Sequence, residues 1–198
     1  MTGLILASAS QARAEMLRSA GVDVTTEPAR IDEDSIKDAM LSEGAPPRDV
    51  ADKLAEMKAL RISSRNAGKL VLGADQVLVH QDKLLSKVND LNSARSQLLS
   101  LKGDRHKLIS AAVIALDGQP IWRHVGQATL HMRPFTDDFL DEYLSAIGDL
   151  ALTSVGCYHL EGRGAQLFSR VDGDYFTILG LPLLEVLGFL RARDVLTE

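Results

Sequence analysis

An acid stands inside an apolar run at Val71-Leu72-Gly73-Ala74-Asp75-Gln76-Val77-Leu78-Val79. A carboxylate in that setting must be paired, hold a metal, or end a strand that opens on a ligand. Gly73 and Ala74 leave room for a ligand to approach. An ion pair needs no such room, so the small residues favour a functional acid over a structural one. A second candidate is Ser8-Ala9-Ser10-Gln11-Ala12-Arg13, where a buried strand meets a helix N-terminus. Free backbone N–H groups and the helix dipole attract anions there. Two hydroxyls and an arginine one turn in would complete a phosphate clamp. The same residues also suit a plain helix cap at Ser10 with a solvated Arg13, and spacing alone leans that way. Asp32-Glu33-Asp34 alone reads as a solvated loop. With Asp75 it offers the oxygens a hard cation such as Mg²⁺ takes, usually one or two carboxylates plus substrate phosphates. Lys58 falls within the apolar stripe of its helix, four residues after Leu54, where most lysines snorkel. Lys87 follows Leu84-Leu85-Ser86 in a loop and is ordinary by itself.

These side chains need a scaffold. Leu4-Ile5-Leu6-Ala7 reads as a strand buried on both faces. A helix follows, with Met16, Leu17 and Ala20 on one face and Gly21 as its stop. Residues 32–42 are polar and poorly patterned. Pro46-Pro47 breaks the chain before a helix that runs to about Asn66, with Val50, Ala51, Leu54, Met57 and the stem of Arg61 as its apolar stripe. A strand over residues 70–79, a turn at Gln81-Asp82 and a short strand to Leu85 come next. Leu91, Ala94, Leu98 and Leu101 then mark a helix that stops at Gly103. Strands over 107–116 and 121–132 join through Asp117-Gly118, a hairpin signal. Thr136 caps a helix carrying Phe139, Leu140, Tyr143, Leu144 and Ile147. Two short strands are expected around Tyr158 and Phe168, and Pro182 opens the last helix. Strand–helix units at the front and a hairpin in the middle predict an α/β (α+β) fold on a mixed sheet.

Composition narrows the function. The chain has 198 residues, 45% hydrophobic and 25% charged, which suits one domain over 1–198 or one with two lobes. The net charge of −5, the absence of any Lys/Arg run and the 5% aromatic content argue against nucleic-acid binding. One cysteine, Cys157, forms no internal disulfide. The N-terminus lacks the basic region of a signal peptide, and no apolar run is long enough to span a bilayer, so a cytoplasmic protein without a membrane partner is expected. The five histidines lack zinc spacing. Walker loop, Gly-x-Ser-x-Gly elbow and dinucleotide fingerprint are all absent.

The ordered set of motifs resembles the Maf (septum-formation-inhibitor) family of nucleoside triphosphate pyrophosphatases over about residues 4–190. Ser8-Ala9-Ser10-Gln11-Ala12-Arg13-Ala14-Glu15-Met16-Leu17 resembles the family's opening Ser-x-Ser-Pro-Arg-Arg-x-Glu-Leu-Leu. Asp32-Glu33, Leu54 to Ala59, Gly73-Ala74-Asp75, Lys87-Val88, Gly103 to His106 and Gly180 to Leu183 follow in family order. Ala12, Gln11, Val88 and Ser154 stand where the family carries arginine, proline, proline and lysine. The resemblance implies an elongated mixed sheet with flanking helices, two lobes around a cleft, and often a homodimer. It implies hydrolysis of a nucleoside triphosphate to monophosphate and pyrophosphate with a divalent cation, Mg²⁺, Mn²⁺ or Co²⁺. It carries catalytic roles to Asp75, Lys58 and Lys87, substrate binding to Ser8, Ser10 and Arg13, and metal binding to Glu33 and Asp75.

Gln76 and Glu161 resemble the branch that acts on 7-methyl-GTP, which makes both substrate-binding candidates. The chemistry agrees in part. A carboxylate only accepts hydrogen bonds, and guanine offers adjacent N1–H and N2–H donors. The alternative is that Glu161 is a turn residue facing solvent, and the guanine-type reading is favoured over it. The alternative function is a non-catalytic nucleotide-binding regulator of cell division that acts through a protein partner.

Overall fold

The structure is a computed structural model that describes residues 3–197. It runs β1 (Leu4–Leu6), α1 (Gln11–Ser19), β2 (Val24–Thr26), α2 (Glu33–Ser42), α3 (Pro47–Ser63), β3 (Leu70–His80), β4 (Lys83–Leu85), α4 (Leu91–Leu101), β5 (Arg105–Leu116), β6 (Gln119–Met132), α5 (Asp137–Ile147), β7 (Phe168–Asp172), α6 (Tyr175–Ile178) and α7 (Leu183–Ala192). The strands form one seven-stranded sheet in the order β2-β1-β3-β5-β6-β7, with β4 paired to β3. β1 runs parallel to both β2 and β3, pairing Leu4 with Val24 and with Leu70. β4 and β7 pair antiparallel with β3 and β6. This is the mixed α/β fold the element order predicts. Among the described residues no helix is long and apolar enough to cross a membrane.

The chain divides into two compact units. The first holds residues up to Gln76, Ile109–Gly126 and those from Asp174 onward; the second holds Val77–Leu108 and Gln127–Gly173. In the first unit β1 and β3 are covered on both faces, as unbroken apolar runs require. Leu4, Leu6, Leu72 and Ala74 pack with Met16 and Leu17 of α1 and Val186, Leu187 and Leu190 of α7. Ile5, Ala7 and Val71, one register step away, pack instead with Ile62 of α3.

The apolar stripe of α3 differs from expectation. Ala55, Lys58, Ala59 and Ile62 are buried beside Val50, Ala51 and Leu54, whereas Met57 is half-buried and Arg61 is exposed. The reason is a close helix–strand approach at Gly73. A Cβ there would run into Ala55 O and lie 2.6 Å from Ala59 N. The helix therefore presents Ala55 and Ala59 to the strand at Gly73. Gly73→Ala is expected to destabilise by about 1–3 kcal/mol through overpacking, read as a lower urea midpoint at unchanged slope. An unchanged midpoint would show that α3 can retreat freely.

Two elements of this unit escape the pattern reading. β2 is three residues long, and its Thr25 and Thr26 are exposed. α2 has no buried residue, so apolar periodicity has nothing to register. Its start is local chemistry: the Asp32 carboxylate accepts from Ser35 N at 3.1 Å and Ser35 Oγ at 2.8 Å. On α1, Ala20 is exposed just past the helix end rather than on its buried face.

In the second unit the expected Thr136 cap forms, accepting from Phe139 N at 3.2 Å. Leu140, Tyr143 and Leu144 of α5 are buried. The expected strand around Phe168 is β7, but the one around Tyr158 does not form. There Ser154 Oγ accepts from Tyr158 N at 3.0 Å and donates to Tyr158 O at 2.7 Å. The hydroxyl takes the bonds a ladder would have made.

His106, on β5, is almost wholly buried and shares a 2.6 Å hydrogen bond between Nε2 and the Tyr158 hydroxyl. Its Nδ1 is buried without a partner. Burial, with the nearby His80 charge, pushes its pKa down from 6.5 to about 4. The folded ring is therefore neutral where the unfolded ring takes a proton. Its stabilising contribution is complete above about pH 6.5 and lost as pH falls toward 4, roughly 3 kcal/mol in all. Urea unfolding at pH 7 and pH 4.5 should show this loss, and His106→Phe should remove much of the pH dependence. The same acid loss in that variant would assign it elsewhere.

Candidate active site

The β1–α1 junction places Ser8 and Arg13 in contact. Ser8 is buried, and its Oγ accepts from Ser10 N and from Arg13 Nη1, each at 3.2 Å. Arg13 also donates from Nη1 to Ala74 O at 3.1 Å and from Nε to Gly180 O at 2.7 Å. Arg13 is thus not a solvated surface residue. Burial lowers its pKa, and the charges of Asp75 and Glu33 oppose that shift. Among the described residues its Nη2 has no protein partner, which leaves two N–H donors of a fixed guanidinium for an anion. Ser10 is the α1 cap, accepting from Arg13 N at 3.4 Å. Of the plain helix-cap reading, the Ser10 cap holds and the solvated Arg13 does not.

Asp75 of β3 and Lys58 of α3 are both buried. Lys58 Nζ lies 2.7 Å from Asp75 Oδ1 and 2.8 Å from Glu33 Oε1. The lysine does not snorkel, because two carboxylates meet it inside. The ion pair that Asp75 was weighed against is real. It engages Oδ1, and among the described residues the buried Asp75 Oδ2 has no partner. Glu33, in the first turn of α2, is half exposed. Burial pushes its carboxyl up, but the Lys58 hydrogen bond and charge, with Lys37 and Arg13, hold it below the usual carboxylate range.

The donor set fits a hard divalent cation. Asp75 and Glu33 offer oxygens only, and the orphaned Oδ2 is an acceptor with nothing to accept. Among the described residues no group of three or more His, Cys, Asp or Glu side chains could enclose a metal.

Gln76 lies in the same unit, but its amide nitrogen is already engaged by Ser110 Oγ, Thr177 O and Ile178 O at 3.0, 3.1 and 2.9 Å. Lys87 and Glu161 belong to the second unit. Lys87 is exposed in the segment between β4 and α4. Glu161 sits in an exposed turn, its Oε1 3.3 Å from His159 Nδ1. Pattern reasoning missed the backbone carbonyls of Ala74 and Gly180 that hold Arg13. A peptide carbonyl has no side-chain signature, and the only cue was the Gly180-Leu181-Pro182-Leu183 motif.

Comparison with known proteins shows the family. A family model described as "Maf-like protein" matches residues 3–193. A nucleoside triphosphate pyrophosphatase of Roseobacter denitrificans is 55% identical over 190 residues, covering 96% of each chain. One of Caulobacter vibrioides is 50% identical over 197 residues, covering 100% of this chain and 98% of that one. Among solved structures, a HAM1 protein from Coxiella burnetii aligns with TM-score 0.41 and 12% identity over 67% of this chain and 73% of that one. A family model over residues 3–193 and relatives about 50% identical over nearly the whole chain show that the chain belongs to the Maf family.

Proposed function

We propose that the chain hydrolyses nucleoside triphosphates between the α and β phosphates, releasing a monophosphate and pyrophosphate. The observation that carries this reading is Asp75: a buried carboxylate with Oδ1 on Lys58 and Oδ2 unused. A binding protein gains nothing from an orphaned buried oxygen, whereas a hydrolase uses one either to accept the proton of an attacking water or to hold the cation that positions that water. Arg13 and Ser8 bind phosphate oxygens, and Arg13 Nη2 is the donor that remains for them. Lys58 fixes the direction of the Asp75 carboxylate and links it to Glu33. Glu33 and Asp75 would hold a divalent cation, which when bound neutralises phosphate charge and stabilises the leaving pyrophosphate. The assignment of Lys87 to phosphate rests on the motif resemblance. Asp75, Glu33, Lys58 and Arg13 sum to zero formal charge, so a triphosphate would bring unbalanced negative charge without a cation.

The preferred base is read as guanine-type, including 7-methyl-GTP. Support comes from the Gln76–Glu161 combination and from the carboxylate chemistry of Glu161, whose oxygens suit N1–H and N2–H donors.

The test is pyrophosphate release from GTP, 7-methyl-GTP, dTTP, UTP and pseudo-UTP with Mg²⁺, Mn²⁺ or Co²⁺. Cation-dependent release, fastest from guanine-type substrates and slowed in Glu161→Gln, is expected. Release favouring uracil or thymine removes the base assignment alone. No pyrophosphate from any pair would leave a nucleotide-binding protein acting through a partner.

A further inference from the structure

Arg13 owes its direction to a backbone turn that other side chains hold. Gly180 O accepts from Arg13 Nε at 2.7 Å. Gly180 N in turn donates to Thr177 O at 3.1 Å, closing the turn over Thr177–Gly180. Thr177 O also accepts from Ser110 Oγ at 2.7 Å and from Gln76 Nε2 at 3.1 Å, and Ile178 O accepts from Gln76 Nε2 at 2.9 Å. Ser110 is fully buried and Thr177 nearly so. All of these residues belong to the first unit.

The orientation of the Gln76 amide is chemically forced. Ser110 spends its one hydroxyl proton on Thr177 O, so it faces Gln76 as an acceptor, beside two carbonyls. An amide oxygen in that place would meet three acceptors and no donor; only the NH₂ group fits. Gln76 therefore acts as a staple between β3 and the Thr177–Gly180 turn. Gly180 itself has φ +106, and a Cβ there would lie 3.3 Å from Arg13 Nε. Only glycine meets both conditions without strain.

We propose that Gln76 and Ser110 are positioning residues that fix the Thr177–Gly180 turn and, through Gly180 O, aim the Arg13 guanidinium at phosphate. This inference rests on the phosphate role of Arg13 proposed above. With Nε and Nη1 held by Gly180 O, Ala74 O and Ser8 Oγ, the guanidinium plane is fixed and Nη2 is presented. Preorganised donors bind an anion without first ordering themselves.

The test uses the full chain and inorganic tripolyphosphate, measured by calorimetry with Mg²⁺ present. This probe has phosphates but no base, so it reads the phosphate contacts apart from base recognition. Gln76→Glu keeps the shape but turns a carboxylate toward three acceptors, and should weaken tripolyphosphate binding about tenfold. Ser110→Ala should weaken it about threefold. In an Arg13→Ala background, each change should alter affinity by less than about twofold, because the group they aim is gone. Should Gln76→Glu fail to fold by thermal unfolding, Ser110→Ala and Gly180→Ala complete the same cycle. Equal losses with and without Arg13 would overturn the proposal in favour of general packing. Unchanged tripolyphosphate binding with weakened nucleotide binding would overturn it in favour of Gln76 touching the base. If the unmodified chain binds no tripolyphosphate, the phosphate role of Arg13 falls and this inference with it. Loss of the cycle alone leaves the pyrophosphatase reading intact.

Discussion

Asp75→Asn is expected to lower kcat by about 10²–10⁴-fold while KM moves only a few fold. Asparagine keeps the shape and can still accept one hydrogen bond from Lys58 at the position of Oδ1. What it loses is charge and basicity at Oδ2, the buried oxygen that no protein group uses. An amide there neither takes a proton from water nor holds a cation. Arg13 and Ser8 still meet the triphosphate, and Glu33 still offers a carboxylate to the cation that offsets its charge, so binding falls less than turnover. Steady-state kinetics with the preferred nucleotide checks this. A variant with unchanged kcat would make Asp75 a structural partner of Lys58 and would move the attacking-water role elsewhere. A rise in KM at constant kcat would place Asp75 in uniform substrate binding.

Lys58→Met is expected to be the most damaging change to stability. Lys58 and Asp75 are both buried, and the lysine lies within 2.8 Å of Glu33 and 2.7 Å of Asp75. Methionine fills the space of the stem but leaves a buried carboxylate with no cation. Removing one partner of a buried pair costs about 3–5 kcal/mol, because the other charge remains desolvated. In a chain of this size that is a fall in Tm of roughly 6–20 °C. The double variant Lys58→Met/Asp75→Leu should recover much of the loss, since no unpaired buried charge remains. Both variants should be inactive. Differential scanning calorimetry distinguishes the outcomes. A single variant that loses less than about 1 kcal/mol would mean that Asp75 reaches water or a proton easily, and that Lys58 does not hold it.

Part of the candidate site was legible because a residue stood against its own neighbourhood, and the motif order carried the rest. Asp75 interrupts an apolar strand, and Lys58 interrupts an apolar helix face. Burial forces such groups to find partners, so their anomaly is visible in one dimension. Glu33 was legible more weakly, since an exposed acidic cluster is common. The motif order supplied the link that spacing could not, from Ser8 to Leu183.

The strands β1, β3, β5 and β6 and the helices α1, α3 and α4 were likewise readable, because burial of one or both faces writes a period into the sequence. α2 was not, because none of its residues is buried and it is set by the local Asp32 cap. The expected strand at Tyr158 failed because the Ser154 side chain satisfied the backbone first.

By itself, then, the sequence determined the mixed α/β class, the main strands and helices, and the side chains whose burial would be costly unless they worked together. Only the tertiary structure decided which partner each one took: that Lys58 bridges Asp75 and Glu33, that Arg13 rests on Ala74 O and Gly180 O, and that Gln76 spends its amide on a backbone turn. The physical reason is that a buried charge announces a need for a partner from its own position. The partner is a residue far along the chain, often a peptide carbonyl identical in every residue type, and only packing brings it within 3 Å.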